Sequence, residues 1–275
     1  MQGTVANGAS ATAGAKDKKI DDIPAPRRVW AGLGRAVVMT GIFFGAPPVL
    51  EVGHATGGSE RTRAWFAWVA RQMARTFQLD VELEGALPVE AREVRVANHS
   101  TYLDILLLSG VRGGRFLAMK DIASWFMVGQ VAKRVGCIFL DRADRKDRAA
   151  VIRILTEAAR SERTPLIVFP EGSTGMGPTL KPFHAGAFVV ARRAGVPIRP
   201  IAIVYDDLDE VGWIDDMPLG KHVWRRLSGP LVRARLVPLP LVEVREDESA
   251  EELAARVRSL IEAVARPRQD ALRTS

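Results

Sequence analysis

The sequence predicts an α/β fold, a largely parallel or mixed sheet flanked by helices, and three observations carry that expectation. After residue 79, short apolar runs alternate with longer stretches of helical periodicity. With 275 residues, 47% of them hydrophobic and 26% charged, the chain suits one sizeable core and not a disordered, collagenous or coiled-coil protein. Three of the apolar runs end in polar clusters, and the carboxyl ends of strands are where such sheets carry their sites.

The chain divides into three parts. Residues 1–23 balance Lys16, Lys18 and Lys19 against Asp17, Asp21 and Asp22, and Met1–Ala15 has almost no bulky apolar side chain. A disordered leader is expected there, without the apolar core of a signal peptide. Residues 24–79 hold seven arginines against Glu51 and Glu60, so +5 of the net +7 lies in this segment. Ala36–Leu50 runs fifteen residues without a charge. As a helix that run would span only about 22 Å of a hydrocarbon core about 30 Å thick, and Pro47-Pro48 interrupts it.

From Arg61 to Leu79, Trp65, Phe66, Val69, Met73 and Phe77 share an arc of roughly 120° at 100° per residue, with Arg71 and Arg75 opposite. Such a helix packs on a core or lies at a membrane interface. Two basic apolar segments in succession favour a membrane-associated helical pair over residues 24–79, with the α/β domain occupying 80–275.

In that domain the strand candidates are Val94–Ala97, Phe116–Ala118, Cys137–Leu140, Leu166–Phe169, Ile198–Val204 and Val232–Val237. The helix candidates are Thr101–Ser109, Ala123–Val135, Arg145–Ser161 and His184–Ala194. A last helix over Ser249–Val264 opens on a Ser249/Glu252 capping box and buries Leu253, Val257, Leu260, Ile261 and Val264. The single cysteine, Cys137, excludes an intramolecular disulfide, reads as a small buried hydrophobe, and with four His lacking HExxH spacing leaves no metal centre.

The first polar cluster is Asn98-His99-Ser100-Thr101-Tyr102-Leu103-Asp104. His99 and Asp104 stand about 140° apart in a continuous helix, so they meet only if His99 lies in the turn before it. A carboxylate on one imidazole nitrogen would free the other as a general base; alternatively, Asp104 only caps the helix with Thr101. The second cluster ends a buried strand at Asp141-Arg142. The third, Phe169-Pro170-Glu171-Gly172-Ser173-Thr174, follows another strand, and around Ser173 the glycines of a nucleophile elbow are out of place.

Taken in order, and with Val196-Pro197-Ile198-Arg199-Pro200, these clusters resemble the glycerolipid acyltransferase family typified by bacterial 1-acylglycerol-3-phosphate acyltransferase. The resemblance covers about Val94 to Tyr205 and extends to the basic helical pair before it. It implies transfer of a fatty acyl group from acyl-CoA or acyl carrier protein to a lyso-lipid hydroxyl, without metal or resident cofactor. His99, oriented by Asp104, would be the base. Lys120, Arg142, Glu171, Gly172, Ser173 and Thr174 would hold the acceptor.

The chain departs from the pattern where Thr174 replaces an arginine and His184 a lysine. Lysophosphatidate is the first acceptor implied, and another lyso-lipid, lyso-ornithine lipid among them, the second. A catalytically silent membrane-surface binding protein is the reading from another class. The expected location is the cytoplasmic face of a membrane, peripheral or monotopic. Nucleic acid is not an expected partner, because no recognition motif accompanies the charge.

Overall fold

The computed structural model describes residues 26–112, 114–124, 129, 132–133, 136–141, 145–176, 179–213 and 217–274. The expected leader 1–23, Arg142 and most of the helix expected at 123–135 lie outside them. The order of elements is α1 (Pro26–Thr76), β1 (Leu79–Leu83), β2 (Val94–Ala97), α2 (Leu103–Gly110), β3 (Arg115–Met119), a 3-10 turn (Lys120–Ser124) and β4 (Ile138–Leu140). There follow α3 (Arg145–Ser161), β5 (Leu166–Val168), α4 (Gly186–Ala194), β6 (Ile198–Tyr205), α5 (Leu208–Val211), α6 (Leu219–Ser228), β7 (Val232–Pro238) and α7 (Ala250–Thr274).

The seven strands form one sheet in the order β1-β7-β6-β2-β5-β3-β4. The five from β6 to β4 run parallel, whereas β7 is antiparallel to β6 and parallel to β1, so the sheet is mixed. Strand alternation splits the core into two layers. Val94, Val96, Ala202 and Val204 face a layer with Val151, Leu155, Phe188, Val257 and Ile261 from α3, α4 and α7. Ala97, Ile201 and Ile203 face the other, with Ala74, Leu103, Leu107 and Leu227 from α1, α2 and α6 and Phe77 just after α1. With both faces covered, β2 is buried at every residue, and the one charged side chain in it, Arg95, is paired with Glu93. The Ser249/Glu252 capping box forms as expected, Glu252 N–H donating to Ser249 Oγ at 3.1 Å and Ser249 N–H to Glu252 Oε2 at 2.8 Å. Leu260 departs from its expected place on the buried face of α7 and is exposed.

The pair of helices expected over 24–79 is one helical run, α1, but not a straight one. Arg35 Nη1 donates to Leu227 O at 2.7 Å, and Arg226 Nη2 donates to Phe77 O at 3.0 Å. A straight helix would separate residues 35 and 77 by about 63 Å, so both cannot reach neighbouring residues of α6 unless the run doubles back between them. Pro47 and Pro48, which lack backbone donors, stand in the middle of that span.

The two arms spend their apolar faces differently. The second arm buries Ala67, Val69, Ala70 and Ala74, with Phe77 just beyond its end, and so packs on the domain core. The first arm packs Ala36 and Met39 against the body and leaves Trp30, Leu33, Val37, Val38 and Phe44 exposed. Among the described residues no helix is long and apolar enough to cross a membrane.

Candidate active site

The site is built where β2 and β5, neighbours in the sheet, end side by side. Beyond Ala97, which pairs with Ile201, the Asn98 side chain continues the ladder to β6 in place of backbone. Its Nδ2 donates to Ile203 O at 3.0 Å, and its Oδ1 accepts from Ile203 N–H at 2.8 Å. The next residue, His99, is thereby delivered into a turn at the sheet's carboxyl edge, before α2 begins.

That turn brings His99 and Asp104 together, with Nδ1 2.8 Å from Oδ2. The same oxygen accepts the N–H groups of Ser100 at 2.7 Å and Thr101 at 3.1 Å. One carboxylate oxygen thus ties the turn before α2 together and meets the imidazole, while the N-cap of α2 is Tyr102 and has no side-chain cap. The other oxygen, Oδ1, accepts the Tyr205 hydroxyl at 2.5 Å. Asp104 is fully buried. A carboxylate only accepts, so His99 Nδ1 carries the proton, and the lone pair is left on Nε2 of a side chain that is 15% exposed.

His99 is fixed on three further sides. Its N–H donates to Glu171 Oε1 at 2.7 Å, its carbonyl accepts from Gly175 N–H at 3.0 Å, and its ring stacks on Phe169 at 4.1 Å between centroids. Below the turn, the Tyr102 hydroxyl lies 3.1 Å from Nδ1 of His222 on α6. Burial, aided by Arg225 and Arg226, lowers His222 to about 4, so it is neutral near pH 7.

Glu171 sits beside His99 as a brace. It is buried, and its second oxygen accepts Lys181 N–H at 2.9 Å. Burial raises its carboxyl above the usual range, while the N–H groups of His99 and Lys181 act against that rise. Each of its two oxygens thus accepts a backbone N–H. Gly172 takes the left-handed conformation, φ 78°, that the turn back from β5 requires. Thr174 is buried, whereas Ser173 is half-buried and its Oγ accepts from Lys181 Nζ at 2.8 Å.

Lys181 was not among the residues expected from sequence. Its ammonium also donates to Thr174 O at 2.7 Å, which puts a cation in the loop that carries Thr174 instead of arginine. No motif spacing signals it, because the contact depends on the loop folding back across seven residues. Lys120 lies apart from this group. It follows β3, two strands and about 10 Å from β2, is 67% exposed, and pairs with Asp141 at 3.5 Å. Cys137 is half-buried and burial pushes its thiol up to about 11, so it is no thiolate at neutral pH.

Residues 78–204 match the family model described as Acyltransferase. The lyso-ornithine lipid O-acyltransferase of Pseudomonas aeruginosa is 30% identical over 217 residues, 76% of this chain and 82% of that protein. The 1-acyl-sn-glycerol-3-phosphate acyltransferase of Neisseria meningitidis is 29% identical over 195 residues, 68% of this chain and 75% of that one. In fold, the chain superposes on the crystal structure of the 1-acyl-sn-glycerophosphate (LPA) acyltransferase of Thermotoga maritima with a TM-score of 0.64 at 22% identity, covering 90% of this chain and 97% of the other. Two relatives named for different acceptors stand at nearly equal distance, and what they have in common extends to this protein: it belongs to the glycerolipid acyltransferase family and is an acyltransferase.

Proposed function

We propose that the protein transfers a fatty acyl group from acyl-CoA or acyl carrier protein to the hydroxyl of lysophosphatidate, giving phosphatidate. The observation that carries this reading is the His99–Asp104 contact, which leaves Nε2 as a fixed proton acceptor at the edge of the sheet. The acceptor hydroxyl gives its proton to Nε2 as its oxygen attacks the thioester carbonyl. The tetrahedral adduct then collapses, the C–S bond breaks, and the departing thiolate takes the proton from the imidazolium. No enzyme nucleophile is needed, in keeping with a protonated Cys137.

An anionic head group is supported by the Lys181 ammonium, held beside Ser173 in the same loop as Glu171 and Gly172. Lys120, which follows β3 further along that edge, would extend the cationic surface, and Arg142, outside the described residues, is the other cation that the family resemblance supplies. A second acceptor, lyso-ornithine lipid, is supported by the uncharged, buried Thr174 and by the Pseudomonas relative's name. Labelled donor with a panel of lyso-lipids decides between them. Lysophosphatidate is expected to have the highest kcat/KM, and Lys181→Met to raise its KM about tenfold while leaving the donor's KM in place. A preference above about tenfold, roughly 1.4 kcal/mol, for lyso-ornithine lipid sinks the first choice.

The reading includes peripheral attachment to the cytoplasmic face of a membrane. Trp30, Leu33, Val37 and Phe44 fall within about 60° of one another around α1, opposite the face that packs on the body, and all four are exposed. An apolar stripe preceded by Arg27 and Arg28 is suited to a bilayer interface. The full chain is expected to sediment with anionic vesicles and to be released only in part by high salt; replacing Trp30, Leu33 and Val37 by Ser should free it. Full-length protein that stays in the supernatant refutes the attachment.

A further inference from the structure

We propose that Tyr205 is a positioning residue for acyl transfer, holding Asp104 so that its other oxygen faces the imidazole of His99. The proposal rests on His99 being the base, and three observations carry it.

First, Asp104 has two oxygens and four donors, and the division between them is uneven. His99 Nδ1 and the N–H groups of Ser100 and Thr101 all converge on Oδ2, while Oδ1 accepts, among the described residues, only from the Tyr205 hydroxyl at 2.5 Å. Rotation about the last bond of an aspartate is soft and nearly two-fold, so an oxygen without a partner would let the group swing. A donor on Oδ1 removes that freedom and aims Oδ2 at the ring.

Second, the hydroxyl cannot do otherwise. Tyr205 is buried at the end of β6, and burial together with the Asp104 charge holds the phenol well above its ordinary range, so it stays a donor. Arg226 and Tyr102 are the other charged or titratable groups that act on it, Arg226 opposing the rise. Third, Tyr205 is itself located by the site's own scaffold. Asn98, the residue before His99, is bonded in both directions to Ile203 two positions earlier on β6. The strand supplying Tyr205 is thus tied directly to the strand supplying His99.

The test is a double-mutant cycle with Asp104→Asn, assayed with labelled acyl donor and the lyso-lipid that the panel identifies. Tyr205→Phe removes one oxygen and keeps the ring. It is expected to lower kcat about 10- to 100-fold with both KM values within about twofold of wild type. Adding Tyr205→Phe to Asp104→Asn is expected to cost little further, because the first change has already removed the group through which the tyrosine acts. If Tyr205→Phe does not fold, Tyr205→Met, whose flexible side chain fills irregular gaps, takes its place in the same cycle.

A wild-type kcat in a folded Tyr205 variant, or losses that simply multiply in the double variant, overturns the proposal. So does a rise in both KM values with kcat unchanged, the mark of a general structural role. His99→Ala separates this outcome from failure of the underlying reading. If that variant is silent while Tyr205→Phe is fully active, only the tyrosine assignment falls; if His99→Ala still turns over, the base assignment falls first.

Discussion

His99→Ala is expected to reduce kcat by at least about 10³-fold while leaving fold and donor affinity close to wild type. The separation of the two effects follows from how the residue is held. Its backbone contacts to Glu171 and Gly175 do not depend on the side chain and persist in alanine. Asp104 loses one donor of four and keeps Ser100, Thr101 and Tyr205, so the buried carboxylate is not stranded. What disappears is the ring stacked on Phe169, a stability loss of about 1 kcal/mol, together with the imidazole proposed as the base. Turnover near wild type with the true acceptor would remove His99 from the chemistry.

The largest stability effect is expected far from the base, at Gly114→Ala. Gly114 has φ 135°, and a Cβ there would lie 2.3 Å from the carbonyl oxygen of Pro165. That oxygen also accepts Arg115 N–H at 2.8 Å, the bond that starts β3 alongside β5. Neither partner is a flexible side chain tip, so relief requires prising apart two adjacent strands of the site-bearing sheet. A loss of about 3 kcal/mol or more is expected, read as a fall in Tm of roughly 6 to 12 °C in a protein of this size. Gly85→Ala is the control: φ is 97°, but nothing lies within 4 Å of the added carbon, so only backbone strain of about 1 to 2 kcal/mol applies. Equal Tm values for the two variants would show that the close approach to Pro165 does not govern the cost.

The elements that the sequence revealed are those whose signal is local. Val94–Ala97, Leu166–Val168 and Arg145–Ser161 emerge with the expected bounds or within one residue of them, because continuous burial or 3.6-residue periodicity is written in their own residues. β1 escaped notice because it is a five-residue edge strand with alternating exposure, directly after an amphipathic helix whose pattern runs into it. α6 escaped because its buried face is made of His222, Arg226, Leu227 and Ser228, three of them polar, which no hydrophobic pattern finds. The second arm of α1 shows the converse limit. Its apolar arc is real, but a pattern of one helix does not say whether protein or lipid covers it, and here α2 does. In the site, His99 and Asp104 were legible because the six consecutive residues from the turn into α2 hold both. Lys181 and Tyr205 were not, since each reaches the site through tertiary folding.

The separation of Tyr205 from Asp104, 101 positions in the chain, has a consequence for biosynthesis. A chain emerging amino-terminus first presents the turn from His99 to Asp104 long before β6 exists. Until β6 docks, Asn98 has no strand to bond, and Asp104 has only the local donors of its own turn. β6 must be joined by β7 in turn, whose pairing with β1 closes the other end of the sheet. Nascent or prematurely terminated chains ending before Ile198 therefore carry the complete stretch from His99 to Asp104 without the strand bonded to it.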